Sequence, residues 1–164
     1  MIHELRTRQW IDRPLDEVFQ FFSEATNLER ITPPELRFEI LNPGRIEIQK
    51  GTLIDYRLRL GGFPFNWCTE ITRWDPPFSF EDTQRRGPYS MWIHTHSFEQ
   101  TNNGTRISDL VQYRLPLSPV GDLAYPIVRL QLRRIFDFRQ HAVAAYFSNQ
   151  PSKSQLIDPS RIVD

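Results

Sequence analysis

The alternation running from Tyr89 to Leu115 constrains this chain more than any other feature. In Y-S-M-W-I-H-T-H-S-F-E, the residues Trp92, His94, His96 and Phe98 fall at every second position, and a strand sends alternate side chains to one face. T-N-N-G follows, and Asn and Gly tolerate the positive-φ conformations of a tight hairpin turn. Beyond it, Ile107, Asp109, Val111, Tyr113 and Leu115 repeat the period. A turn centred on Asn102-Asn103 sets Phe98 opposite Ile107, His96 opposite Asp109, His94 opposite Val111 and Trp92 opposite Tyr113. Moving the turn to Asn103-Gly104 shifts every partner and leaves the shared face unchanged. Histidines and an aspartate thus stand among aromatic and aliphatic side chains, a mixture that predicts a pocket wall.

The same period recurs upstream. Ile54, Tyr56, Leu58 and Leu60 lead into Gly61-Gly62, and Phe63, Phe65, Trp67, Thr69 and Ile71 return, which pairs Leu60 with Phe63, Leu58 with Phe65 and Tyr56 with Trp67. Asp55, Arg57 and Arg59 alternate outward, as on a sheet with one wet face. Cys68 falls on that outer face, a poor position for a nucleophile serving an inner cavity. Phe38 and Ile40 mark a further strand. F-S-F-E-D-T-Q after W-D-P-P supplies another, with Phe78, Phe80, Asp82 and Gln84 on one side. Asp82 is expected inward, on the face of His94 and His96.

Helical spacing frames this series. An opening strand over Glu4–Trp10 precedes Pro14, whose fixed φ suits a first helical turn, and Leu15, Val18, Phe19 and Phe22 recur at helical spacing. A second short helix ends at Pro33-Pro34. Near the end, Val128, Leu132, Ile135, Phe136, Val143 and Phe147 outline one side of a long helix that Pro126 starts or kinks. Arg129, Arg133, Asp137 and Gln140 suit its solvated side, and Ser118-Pro119 can cap a turn before it. The stretch 149–164 breaks the pattern and reads as a flexible tail, with Leu156, Ile157 and Ile162 available for weak docking.

Length and charge narrow the function classes. The chain has 164 residues, enough for one domain with its own core. Its single cysteine excludes an internal disulfide framework. Lys+Arg and Asp+Glu are each 20, so no excess positive charge is available for nucleic-acid binding. No apolar run opens the chain or reaches membrane-spanning length. No stable membrane insertion is expected, and a cytoplasmic location is. The glycines at 61 and 62 join strand to strand and not strand to helix, so they form no phosphate loop, and no nucleophile elbow is present.

R-P-L-D-E-V-F-Q-F-F, N-L-E-R-I-T-P-P, the W-D-P-P-x-x-F-x-D run, G-P-Y-x-x-W-x-H-x-H-x-F and D-L-V-Q-Y-R-L-P occur in this order over residues 3–148. In that combination the chain resembles the START-like, or SRPBCC, superfamily, which includes Bet v 1-like and polyketide cyclase/dehydrase-like proteins; its bacterial ligand-binding branch is the most similar. The resemblance implies an α+β helix-grip fold, in which a curved antiparallel seven-stranded sheet wraps a long C-terminal helix, with two short helices after the first strand. It assigns residues 1–148 to one domain. It also implies a cavity between sheet and helix for a lipid, a polyketide or another aromatic compound. The fold serves carriers and enzymes alike, and no cyclase catalytic motif matches here.

Tyr56, Trp67, Phe80, Asp82, Trp92, His94, His96, Phe98, Asp109, Tyr113 and Phe136 are therefore the expected ligand-contacting set, the aromatic members supplying broad apolar surface with polar edges. His94 and His96 titrate near neutral pH, and Asp109 can orient an imidazole, so these are the candidates for proton transfer. The same residues equally well satisfy one another inside a sheet. H-x-H with Asp82 or Asp109 also has the makings of a three-ligand zinc site, but such a site needs converging atoms that residue type does not supply. No metal and no cofactor are expected. The favoured function is binding or transport of a small hydrophobic molecule. The alternatives are a cyclase/dehydrase-like enzyme using the cavity histidines, and an interaction module whose core is filled.

Overall fold

The computed structural model describes residues 1–117 and 119–150. Strand β1 (His3–Ile11) leads through Pro14 into helix α1 (Leu15–Phe22), whose Leu15, Val18, Phe19, Phe21 and Phe22 are buried. Helix α2 (Asn27–Arg30) is a single turn, and a 3-10 turn over Pro34–Leu36 follows it. Strands β2 (Glu39–Ile40), β3 (Leu53–Leu60), β4 (Phe63–Asp75), β5 (Ser79–Arg86), β6 (Met91–Thr101) and β7 (Gly104–Arg114) come next, and helix α3 (Tyr125–Ser148) ends the series. This is the helix-grip arrangement.

The seven strands form one antiparallel sheet in the order β1-β7-β6-β5-β4-β3-β2. Consecutive hairpins therefore make a meander, and β1 closes onto β7. The β6–β7 register pairs Phe98 with Ile107, His96 with Asp109, His94 with Val111 and Trp92 with Tyr113, the pairing of a turn at Asn102-Asn103. The β3–β4 register pairs Tyr56 with Trp67. Between β4 and β5 the register shifts at Cys68/Thr69 and at Ile71/Arg73, and such irregularities increase the local bend and twist of a strand.

Two expectations change. The strand marked by Phe38 and Ile40 shrinks to Glu39–Ile40, because Pro33-Pro34 and the 3-10 turn occupy its approach while Gly44, at φ 78°, turns the chain away just after it. Phe38 instead leans on Tyr56, with ring centroids 4.7 Å apart. Phe78 does not share the inner side with Phe80: β5 begins only at Ser79, and Phe78, in the turn after Pro76-Pro77, is 56% exposed. The proposed cap at Ser118 and the tail from residue 151 onward, with Leu156, Ile157 and Ile162, lie outside the described residues.

Helix α3 buries Leu132, Phe136, Val143 and Phe147. Side-chain amides fasten it to β1: Gln9 Nε2 donates to the Gln140 carbonyl at 2.6 Å, and Gln140 Nε2 donates to the Arg8 carbonyl at 3.1 Å. Arg13 Nη2 donates to the Phe147 carbonyl at 2.6 Å, closing the far end. Beneath the helix lie two apolar clusters. One centres on α1 with Phe80, Phe98, Ile107, Val143 and Phe147. The other holds Leu58, Trp67, Trp92, Val111, Tyr113, Leu132 and Phe136. The buried histidines belong to neither cluster.

Candidate functional site

Strand alternation delivers Asp82 from β5, His94 and His96 from β6 and Asp109 from β7 to one face, and the pairing of Asp82 with His94 and of His96 with Asp109 brings the groups together. His94 Nε2 lies 3.0 Å from Asp109 Oδ1, and His96 Nε2 lies 3.2 Å from Asp82 Oδ2. The second nitrogens complete a ring of contacts: His94 Nδ1 is 3.5 Å from Asp82 Oδ2, and His96 Nδ1 is 3.0 Å from Asp109 Oδ1, the latter out of hydrogen-bond alignment. The outer carboxylate oxygens are held as well. Thr69 Oγ1 donates to Asp82 Oδ1 at 3.1 Å, and Thr7 Oγ1 donates to Asp109 Oδ2 at 3.0 Å. Phe80 stacks on His96 with centroids 4.1 Å apart, and Phe136 meets His94 edge-on at 5.4 Å.

The environment pulls the two imidazoles apart. For His94, burial is the largest influence, and with the neighbouring His96 charge it outweighs the carboxylates, lowering its pKa. Burial is also the largest single influence on His96 and acts downward, but hydrogen bonding and charge from Asp109 and Asp82 together overturn it and raise the pKa. Burial pushes both carboxyls upward, yet the histidines reverse this, leaving Asp82 below the usual carboxylate value and Asp109 well below it. The directions favour protonation of His96 before His94 and keep both carboxyls in their charged forms. Burial, followed by the Asp82 charge, raises the Tyr56 hydroxyl well above its ordinary value, while Arg139 acts in the opposite sense.

A cavity of about 130 Å³ opens between sheet and α3 beside this cluster. Of the expected contact set, Tyr56, Trp67, Phe80, Asp82, Trp92, His94, His96 and Phe136 line it. Three expected residues stand elsewhere. Phe98 is packed into the α1 cluster, edge-on to Phe19 at 5.3 Å and Phe22 at 5.3 Å. Asp109 stands behind the histidines, drawn toward Thr7 of β1. Tyr113 faces a separate polar cleft with Tyr125 and Arg129. Sharing a face is a property of the strand; whether space remains in front of a residue depends on what the helices lay over it.

Arg139 is the residue that sequence reasoning missed. It lines the cavity with its guanidinium carbon 5.0 Å from the centre of the Phe136 ring, and its Nε is buried without a hydrogen-bond partner among the described residues. The signal was present, since the spacing 132, 136, 139, 143, 147 puts position 139 on the buried stripe of α3. Trp67 Nε1, also in the wall, is likewise buried without a partner. Unpaired buried donors are uncommon and costly. Here both belong to residues that line the cavity.

Fold and wall together define a Bet v 1-like helix-grip protein of the SRPBCC superfamily, with a partly polar cavity under its C-terminal helix. Over residues 11–142 the sequence matches the family described as polyketide cyclase/dehydrase and lipid transport, and the chain belongs to that family. No curated protein matches the sequence significantly. Among solved structures, the Zhui aromatase/cyclase of Streptomyces sp. R1128 superposes with a TM-score of 0.75 at 14% identity, covering 94% of this chain and 98% of that one. A protein of Arthrobacter aurescens gives 0.70 at 14% identity, over 91% of this chain and 88% of its own. The major latex-like protein 151 of Panax ginseng gives 0.63 at 12%, over 89% and 97%. At these identities the likeness extends to the fold, which hosts unrelated activities. Among the described residues no helix is long and apolar enough to cross a membrane.

Proposed function

We propose that the protein binds a small aromatic or otherwise hydrophobic molecule that carries a hydrogen-bond acceptor. The observation carrying this reading is the cavity in which two unspent donors, Trp67 Nε1 and Arg139 Nε, border a wall of Tyr56, Trp92 and Phe136. Acceptors on the ligand satisfy these donors, and the aromatic faces contribute apolar burial. A dry cavity of about 150 Å³ is known to hold a benzene-sized guest. At about 130 Å³ the present cavity is of that order, so a single-ring compound fits as it stands and a larger one requires α3 and the β3–β4 hairpin to part. Arg139 further favours an acidic or enolic substituent.

Native mass spectrometry of gently purified protein, before and after denaturation, tests this. A released small molecule at one-to-one stoichiometry, or saturable quenching of the cavity tryptophans by single-ring phenols and carboxylates, is the expected result. A ligand-free protein that ignores a broad aromatic and lipid panel instead marks a filled core. Family membership favours a second reading, in which the same cavity holds a carbonyl compound while a histidine moves a proton. Its mark is a product that disappears with His94→Gln; recovery of the compound unchanged favours the carrier.

A further inference from the structure

The chelating geometry that H-x-H spacing left open is present in the fold. We propose that Asp82, His94 and His96 form a mononuclear site for a divalent transition ion, with its open coordination position facing the cavity. The three residues each offer one ligand atom, all within 4.8 Å of one another. Asp82 Oδ2 stands 3.5 Å from His94 Nδ1 and 3.2 Å from His96 Nε2. In a tetrahedral zinc site with bonds of about 2.0–2.2 Å, ligand atoms sit about 3.3–3.6 Å apart along each edge. Both edges from Asp82 are close to that span, and the two imidazole nitrogens, within 4.8 Å of each other, draw together as the ion enters. All three residues line the cavity, so solvent or a bound molecule reaches the remaining position, as in sites where a metal polarises a ligand oxygen.

The surroundings have the form of an outer coordination shell. Asp109 Oδ1 lies 3.0 Å from His94 Nε2 and 3.0 Å from His96 Nδ1, the ring nitrogens remote from Asp82. A carboxylate on the remote nitrogen fixes tautomer and ring orientation in metal-bound histidines. Thr69 holds the free oxygen of Asp82 and Thr7 that of Asp109. Charge points the same way: a divalent cation with two carboxylates and two neutral imidazoles leaves this buried group neutral. The proton between His96 Nε2 and Asp82 leaves for solvent as the ion enters. Two histidines with one carboxylate suit Zn²⁺ or Fe²⁺ over Mg²⁺ or Ca²⁺, which prefer oxygen.

The full chain, stripped with chelator and dialysed, is titrated with Co²⁺ and Zn²⁺. One equivalent should bind, with visible Co²⁺ absorption of low coordination number that Zn²⁺ abolishes. Asp109→Asn should weaken binding by about 10–100-fold. His94→Gln and Asp82→Asn, checked for folding by circular dichroism, should weaken it further. If those variants do not fold, ¹H–¹⁵N spectra of wild-type histidines still decide: Zn²⁺ should shift His94 Nδ1 and His96 Nε2, leaving protons on the nitrogens facing Asp109. Folded protein that takes up no ion, uptake that survives loss of His94, or unchanged imidazole resonances overturns the site. The readouts involve no organic ligand, so the metal site and the ligand-binding reading fail independently.

Discussion

The two apolar regions beneath α3 use similar residues to opposite ends. Around α1, Phe19, Phe21, Phe22, Phe98 and Phe147 interlock edge to face, and their rings carry no polar atom needing a partner. Around the cavity, Tyr56 stacks on Trp67 and Trp67 meets Trp92 edge-on at 5.3 Å. There, by contrast, indole, guanidinium and imidazole groups stand among the rings, and Trp67 Nε1, Arg139 Nε and His96 Nδ1 have no aligned hydrogen-bond partner among the described residues. The first region packs mainly on itself because phenylalanine demands only volume, and only its edge, with Phe21, Phe22 and Phe80, reaches the cavity wall. The second is left incomplete, since its polar atoms need partners that the described residues do not supply. Stability should reside in the first and recognition in the second.

Mutations can break that division. Phe98→Ala, in the closed region, should cost about 4 kcal/mol in denaturant unfolding, while probe affinity per folded molecule stays within twofold. An equal loss of affinity would mean that the regions are not separable. Asp109→Ala should cost about 3 kcal/mol, because it strands the buried His94 ring nitrogen and the Thr7 hydroxyl that bond to it; a change below about 1 kcal/mol would show that the cluster is solvated. Arg139→Gln should change stability by less than about 1 kcal/mol, since no protein acceptor is lost, yet weaken an acidic aromatic probe about tenfold. A folded, unchanged binder would remove Arg139 from the recognition wall.

The pH profile of chelator-treated protein sharpens the same contrast. Asp82 and Asp109 are lowered from 3.8, so their stabilisation is complete above that value and is lost as pH falls through their still lower folded values. His94 is lowered from 6.5: its contribution is present above 6.5 and declines below. His96 is raised from 6.5: its contribution is complete below 6.5 and is lost as pH rises through its higher folded value. Thermal stability should therefore peak near pH 6.5 and drop most steeply below 3.8. Replacing His96 with Gln should remove its share of the loss above the peak. The smallest effect belongs to the surface: Arg85→Gln, losing an exposed ion pair with Glu70 at 2.7 Å, should leave the thermal unfolding curve unchanged within error, because solvent screens such a pair.

Much of the fold was legible because period and turn chemistry are local. Alternation put His94, His96 and Asp109 on one face, while the turn left two registers open, and the fold takes the one centred on Asn102-Asn103 that faces His96 with Asp109. Helical spacing located α1 and α3, and ordered motifs indicated the superfamily. Less was legible where several elements meet. Phe98 and Tyr113 share the histidine face and still line no part of the cavity, because α1 covers one and the start of α3 lies over the other. Arg139 reads as one more polar residue of a long helix until that helix is laid on the sheet.

The sequence by itself determined the long strands from β3 to β7, most of their inward faces and the presence of ionisable groups among apolar neighbours, since each follows from spacing within a few residues. Only the tertiary structure decided that Asp82 and Asp109 approach the histidines from strands on either side, that Arg139 turns inward, and that space remains before some of these groups. Such distances depend on sheet curvature and helix placement, which sum small contributions over the whole chain and leave no trace in the spacing of any one segment.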